Sequence, residues 1–482
     1  MLSRSFLAVF QAMIDQHRKS KAPAKRLSRA KPSSRISRAA RNALQLGIVY
    51  RKIADLKLDP RNPRIHNRRQ RRQIARSIRQ FGFVVPILIR ADGEVIAGHG
   101  RIEGAVEEGM TEVPTICLDH LSEIEARALK IADNRLTEIA EWDDRLLAEQ
   151  LKELSELELE FDLELTGFTM GEIDIRIEGL GGLSPPADDP ADSVPPISGI
   201  PIARQGDRWL LGRHCVVCDD ARIDAAYERL MRGEQASMVF ADPPYNLKIP
   251  GHVSGLGAIK HKDFAMASGE MTKSEFTFFL TTICRLMASH SSEGAIHFIC
   301  MDWRHFHELL AAGQIAYREL KNICVWVKDN AGMGSLYRSQ HEFIAVWKHG
   351  KGSHPNNVQL GQFGRHRTNV WHYPGINTLR RQSEEGNLLA LHPTVKPVAM
   401  IADAMMDCSA RGDLVLDPFL GSGSTLIAAE RTGRRCFGLE IDPLYVDTVV
   451  RRWQAYTGEV ARHELSGRSF ADIEAELEAD HD

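Results

Sequence analysis

The sequence predicts an α/β protein: a doubly wound, mostly parallel sheet in the second half of the chain, preceded by a small α+β domain. Three observations predict this. From about Ile202 to Tyr456, short apolar runs alternate with helical patterns, an order that builds a parallel sheet with helices on both faces. One run, Leu414-Val415-Leu416-Asp417, enters the glycine turn Pro418-Phe419-Leu420-Gly421-Ser422-Gly423-Ser424, which opens a helix. Another, Met238-Val239-Phe240, leads into Asp242-Pro243-Pro244-Tyr245.

A chain of 482 residues, 43% apolar, fits two soluble domains with linkers. Its formal net charge of −3 hides segregation. Residues 1–46 are rich in Lys, Arg and Ser and form an expected disordered basic tail; a transit peptide is the competing reading of that composition. Arg68, Arg69, Arg71, Arg72, Arg76 and Arg79 make a second basic cluster, and residues 141–195 are acidic. The basic clusters permit phosphate contact, whereas the global charge says nothing about nucleic acid. No apolar run is long enough to span a bilayer. Eight scattered cysteines fit a reducing, cytoplasmic setting, and the single Cys215-Val216-Val217-Cys218 pair lacks a zinc-spaced partner, so it is expected as two strand cysteines. No metal site is expected.

The first domain is expected over residues 47–140. Ile74 to Ile78 has helical spacing and ends at Phe81-Gly82; Val84 to Ile89 and Val95 to Ala97 form a hairpin about Asp92-Gly93. Gly98-His99-Gly100-Arg101 opens a helix through Val106, and Val113 to Leu118 is a further strand. Helices from Ser122 to Leu157 follow, with Leu146, Leu147, Leu151, Leu154 and Leu157 as an apolar stripe. The extension 141–179 is expected to be helical and 180–201 to be a Pro/Gly/Asp linker. The second domain is placed at 202–458, opening with a hairpin at Arg208–His214, and 459–482 is expected as an acidic tail.

The chemistry lies in the second domain. Strand, glycine turn, helix, then the strand Cys436-Phe437-Gly438-Leu439-Glu440 is the order of a nucleotide-binding half, with glycines admitting the ligand and the terminal acid taking two ribose hydroxyls. The turn lacks the third glycine of a dinucleotide site. In Asp242-Pro243-Pro244-Tyr245 two prolines remove N–H donors and fix φ, leaving carbonyls free to accept from a planar amine, while the Tyr ring can stack on a base.

These segments resemble the S-adenosylmethionine-dependent N6-adenine/N4-cytosine DNA methyltransferases, over roughly residues 202–455 and in the permuted order of the beta group. The resemblance implies a Rossmann-like methyltransferase sheet. It implies catalysis by Asp242, Pro243, Pro244 and Tyr245 within Ala241–Asn246, and a cofactor loop at Asp417, Phe419, Gly421 and Gly423. Glu440 becomes the ribose acid and Asp219 an acid near the cofactor's adenine. Lys396, in His392-Pro393-Thr394-Val395-Lys396-Pro397, falls in a motif bordering the cofactor. Asp rather than Ser before the two prolines points to adenine. The implied cofactor is S-adenosyl-L-methionine and the implied partner double-stranded DNA. Transfer is direct, onto a flipped base, with no cysteine nucleophile. DNA contacts are expected from Lys248, Arg365, Arg367, Arg380 and Arg381. Tyr337 to Trp347 is expected as scaffold near the site.

Residues 50–140 resemble the N-terminal domain of ParB-like partition proteins and the sulfiredoxin fold. The resemblance implies a nucleotide triphosphate at Gly98 and Arg101, on a strand-to-helix turn whose N–H groups favour phosphate. Gly100 replaces the second Arg of many members, so a plain DNA clamp or docking domain stays equally open. Open too are a homodimer, a paired restriction activity, N4-cytosine or RNA as target, and a non-catalytic DNA-binding clamp.

Overall fold

The computed structural model describes residues 46–479 apart from 158, 160, 181–188, 197–199, 247–268, 330, 332–335, 359–366 and 376–394. The chain divides into two compact units, one up to Glu141 and one from Trp142.

The first unit contains β1 (Ile48–Lys52), α1 (Arg68–Phe81), β2 (Ile87–Ile89), β3 (Val95–Ala97), α2 (His99–Glu107), β4 (Glu112–Cys117) and α3 (Glu123–Glu138). The sheet order is β1-β4-β2-β3, with only the β2–β4 pair parallel. Asn67 caps α1 by accepting the Gln70 N–H at 2.8 Å, and Gly82 ends the helix as expected. Ile87, Ile89, Val95, Ile102, Ala105 and Val113 fill its core. The β2 strand is shorter than expected, because Pro86 has no N–H for the ladder.

The second unit begins with a helix pair, α4 (Asp144–Glu156) and α5 (Met170–Gly179). Then come β5 (Arg208–Leu211), β6 (His214–Cys218), α6 (Asp224–Met231), β7 (Ala236–Ala241), α7 (Lys273–Ser289), β8 (Ser291–Met301), α8 (Phe306–Ala316), β9 (Glu319–Val327), β10 (His341–Lys348) and β11 (Val370–His372). The chain closes with α9 (Val398–Cys408), β12 (Leu414–Asp417), α10 (Ser424–Thr432), β13 (Arg435–Glu440), α11 (Pro443–Thr457), β14 (Arg462–His463) and α12 (Phe470–Ala479). One sheet runs β11-β9-β10-β8-β7-β12-β13-β6-β5-β14. Its centre, β8-β7-β12-β13-β6, is parallel throughout, and apolar clusters cover both faces. The chain order breaks between β7 and β12, and a crevice at such a switch point is where ligands bind in open α/β sheets. Cys215 and Cys218 are buried, unpaired strand residues, as expected.

Two boundaries differ from the sequence reading, while the extension 141–179 is helical as expected. The extension 141–179 is part of the second unit: Asp174 of α5 is fully buried, and its carboxylate accepts from Arg434 at 2.8 and 3.0 Å and from Arg411 at 3.0 Å. Of the leucine stripe, Leu147 and Leu151 are buried whereas Leu146 and Leu157 are exposed. The linker 180–201 is anchored over residues 189–194, where Ala191 and Val194 are buried and Asp189 holds Arg431 at 2.7 Å. Its Pro/Asp composition suggested a solvated chain, but Asp189 and Asp192 find partners within the second unit, Arg431 and the Val398 N–H. Residues 459–479 are no loose tail either: β14 extends the sheet, and Phe470 packs edge-on against Trp209 at 5.2 Å.

Candidate active site

Asp219, Asp242, Asp417 and Glu440 all lie at the carboxyl ends of the parallel strands β6, β7, β12 and β13. Because β10 runs antiparallel to β8, the start of β10 reaches the same end and brings Glu342 there.

Pro243 and Pro244 carry Asp242 and Tyr245 out of β7, and Asn246 then turns the chain in the left-handed region at φ 54°. Its side chain locks the turn, donating to the Met271 carbonyl at 2.9 Å and accepting the N–H groups of Gly269 at 3.1 Å and Met271 at 3.2 Å. The Tyr245 hydroxyl donates to Asp242 Oδ1 at 2.6 Å or Glu342 Oε2 at 2.9 Å. Lys396 Nζ reaches Asp242 Oδ2 at 2.5 Å, Glu342 Oε2 at 3.2 Å and the Tyr245 hydroxyl at 3.2 Å. Lys328, just past β9, closes the set on Glu342 Oε1 at 2.5 Å. Two carboxylates and two ammonium groups thus neutralise one another around one phenol. Burial pushes the Glu342 carboxyl up, but Lys396 and Lys328 outweigh it and hold the group down at about 2. Asp242 goes the other way: burial raises it, and the Glu342 charge adds to that against the pull of Lys396. Lys396 is held well above the ordinary lysine range, its carboxylate partners outweighing burial.

The glycine turn forms the second half of the site. Gly423 has φ 86°, in the left-handed region, and caps α10, where a side chain would also press on Val449 at 3.2 Å. Asp417 Oδ1 accepts the Phe419 N–H at 2.9 Å, and Phe419 packs on Phe279. Glu440 Oε2 accepts the Gly421 N–H at 2.8 Å and Oε1 the Asp442 N–H at 2.9 Å. Burial pushes both Asp417 and Glu440 up to about 7. The charges of Asp242 and Glu440 add to the Asp417 shift, so the proline turn and the glycine turn meet in one acidic locale. Asp219 donates its N–H to the Glu440 carbonyl at 3.0 Å, while its carboxylate holds Gln205 and Arg229. A nucleoside suits this acceptor: among the described residues the Glu440 carboxylate takes only backbone N–H groups, and ribose hydroxyls are donors of the kind it can still accept.

Several expected residues fall elsewhere. Lys248, Arg365, Arg380 and Arg381 lie outside the described residues. Arg367 is corrected as a DNA contact: its guanidinium bonds Asp403 at 3.0 Å, Asp407 at 3.1 Å and the Tyr373 hydroxyl at 3.0 Å, so its charge is spent inside the fold. The Lys396 ammonium is engaged by Asp242, Glu342 and the Tyr245 hydroxyl. Gly98 and Arg101 belong to the first unit. Gly98 takes φ 105° at the start of α2, and Arg101 folds back over it toward the Pro86 carbonyl at 3.4 Å, with its buried Nε unpartnered. The sequence reading missed Glu342 and Lys328 as site residues. Their signal was a charge bordering an apolar strand, the pattern that had marked Asp417.

Comparison with known proteins bears on this geometry. Residues 236–451 match the family described as DNA methylase, and residues 145–205 match the ParB-methyltransferase HTH domain. The type II methyltransferase M2.DpnII of Streptococcus pneumoniae is 27% identical over 241 residues, covering 47% of this chain and 85% of that protein. M2.LlaDCHI of Lactococcus lactis subsp. cremoris is 27% identical over 237 residues, covering 46% and 83%. Among solved structures, TTHA0409, a putative DNA modification methylase from Thermus thermophilus complexed with S-adenosyl-L-methionine, is 20% identical with a TM-score of 0.36, over 51% of this chain and 96% of that one.

Proposed function

We propose that this chain, whose residues 236–451 match the family described as DNA methylase, transfers a methyl group from S-adenosyl-L-methionine to the N6 amine of adenine in double-stranded DNA. The observation that carries this reading is the Asp242–Tyr245–Lys396–Glu342 cluster beside the glycine turn.

When bound, the cofactor supplies a methyl group activated on a sulfonium. Glu440 and the Gly421–Gly423 turn would hold its nucleoside, with Phe419 at its border. Asp242 accepts an N–H of the target amine, and the N–H-free proline turn offers carbonyl acceptors for the other. Both contacts would orient the amine nitrogen for attack. Tyr245 stacks on the flipped base. Lys396 opposes the burial that raises Asp242, and Glu342 with Lys328 fixes the Tyr245 ring by its hydroxyl. Orientation rather than covalent catalysis then lowers the barrier. Asp242 preceding the two prolines favours adenine over cytosine.

In the first unit we place a phosphate-binding turn at Gly98–Arg101, where the unpartnered Arg101 Nε would meet an anion. The test of the main reading is product analysis: DNA methylated by the purified protein should contain N6-methyladenine, and N4-methylcytosine alone would overturn the base assignment.

A further inference from the structure

A helix-turn-helix reads DNA by laying its second helix in the major groove. In the segment matched to that description the second helix, α5, is buried against the catalytic unit. Ile173 is fully buried, and Asp174 spends its carboxylate on Arg411 and Arg434. The cations on the outer face of the pair are already matched: Arg145 with Glu149, Lys152 with Glu156, Arg176 with Asp144. Such a face has little to offer a phosphate backbone.

Residues 189–194 show what the segment does for its neighbours. Helix α9 begins at Val398 behind Pro397, which offers no side-chain cap. Asp192 Oδ1 supplies one from outside, accepting the Val398 N–H at 3.0 Å, two residues past Lys396. Arg452, buried in α11, spans the other side. It donates to the Ala191 carbonyl at 2.7 Å, the Ser422 carbonyl at 2.9 Å and the Ser424 hydroxyl at 3.2 Å. Residues 189–194 therefore hold the helix that starts two residues past Lys396 and, through Arg452, reach the glycine turn.

We propose that the helix-turn-helix segment with residues 189–194 is an internal clip rather than a DNA reader, with Asp192 a positioning residue for Lys396 and Arg452 one for the glycine turn. The inference rests on the methyl-transfer reading for its functional half and on hydrogen bonds alone for its structural half.

The test uses full-length protein and four readouts: hydrogen exchange over 395–405, calorimetry with S-adenosyl-L-methionine, equilibrium DNA binding, and single-turnover transfer to DNA. Asp192→Ala should speed exchange at Val398 and slow transfer by about tenfold each, with DNA affinity unchanged. Asp192→Asn should restore most of both, because its amide oxygen accepts the same N–H. Arg452→Met should weaken cofactor binding by about tenfold at constant DNA affinity. The inference is overturned if Asp192→Ala leaves exchange and transfer at wild-type values. It is equally overturned if Arg145→Glu with Lys152→Glu, on the outer face, weakens DNA binding at unchanged transfer. A wild-type protein that methylates no DNA sinks the proposed function instead, while the exchange experiment still decides the clip.

Discussion

Replacing Glu440 by Gln tests the cofactor pocket through its pH dependence. Burial pushes the Glu440 carboxyl up to about 7, against an ordinary value of about 4.3. The sign follows from which form the ligand needs. Ribose hydroxyls donate to the carboxylate, so S-adenosyl-L-methionine binds the ionised form and expels the proton. With a midpoint near 7, roughly one molecule in ten is ionised at about pH 6 and nine in ten at about pH 8. Cofactor affinity should therefore rise about tenfold over that interval, roughly 1.4 kcal/mol, and level off above it. The stability of the free protein moves oppositely. A raised folded-state pKa contributes stability below the ordinary carboxylate range that is lost as pH rises through about 7, and Asp417 adds a loss of the same sign. Calorimetry at fixed ionic strength measures the affinity. Glu440→Gln should bind more weakly and lose the slope attributable to residue 440. A wild-type affinity flat from about pH 6 to about pH 8 would refute the assignment of Glu440 to the ribose.

Further outcomes follow from the same contacts. Asp174→Ala leaves the fully buried Arg434 without its counter-charge and should cost about 3–5 kcal/mol in denaturant unfolding, with Asp174→Asn costing less; a loss under about 1 kcal/mol would show that the pair adds nothing. Asp242→Ala should abolish single-turnover transfer while leaving cofactor binding near normal. Tyr245→Phe keeps the ring but strips a donor from Asp242 and Glu342, so transfer should fall by the equivalent of about 1–3 kcal/mol, read against Tyr245→Ala. Deleting residues 1–141 should raise the DNA Michaelis constant and spare the maximal rate, whereas deleting 1–195 removes Asp174 and Asp192 and should destroy folding, seen by circular dichroism. In the first unit Arg79 already pairs with Glu108, and Arg71 lies 3.8 Å from Glu103, so neutralising the exposed Arg68 and Arg72 should flatten the salt dependence of DNA binding more than changing Arg71 and Arg79.

The parallel sheet was legible because its strands are continuous apolar runs that end in charged turns. Asp242, Asp417 and Glu440 each announce a strand's carboxyl end, and topology then brings them together. Glu342 was hidden because it starts its strand. Only the antiparallel setting of β10 places that start beside the other strands' ends, and sequence pattern does not reveal strand direction. Arg367 misled for the opposite reason: a basic residue in an irregular segment looks solvent-facing until Asp403 and Asp407, one turn apart on α9, are seen to enclose it. The clip at 189–194 was read as a linker because Pro, Ala and Asp give no periodic signal. Its order comes from partners more than two hundred residues away, Val398 and Arg452.

The central claim is that Asp242 presents an adenine amine to a methyl donor. Its most direct measurement is nucleoside mass spectrometry of double-stranded DNA incubated with purified protein and isotopically labelled S-adenosyl-L-methionine, beside the Asp242→Asn variant. The account predicts labelled N6-methyladenine from the wild type and none from the variant. Label on cytosine, equal label from the variant, or no label in any DNA tested with a protein that binds the cofactor would contradict it.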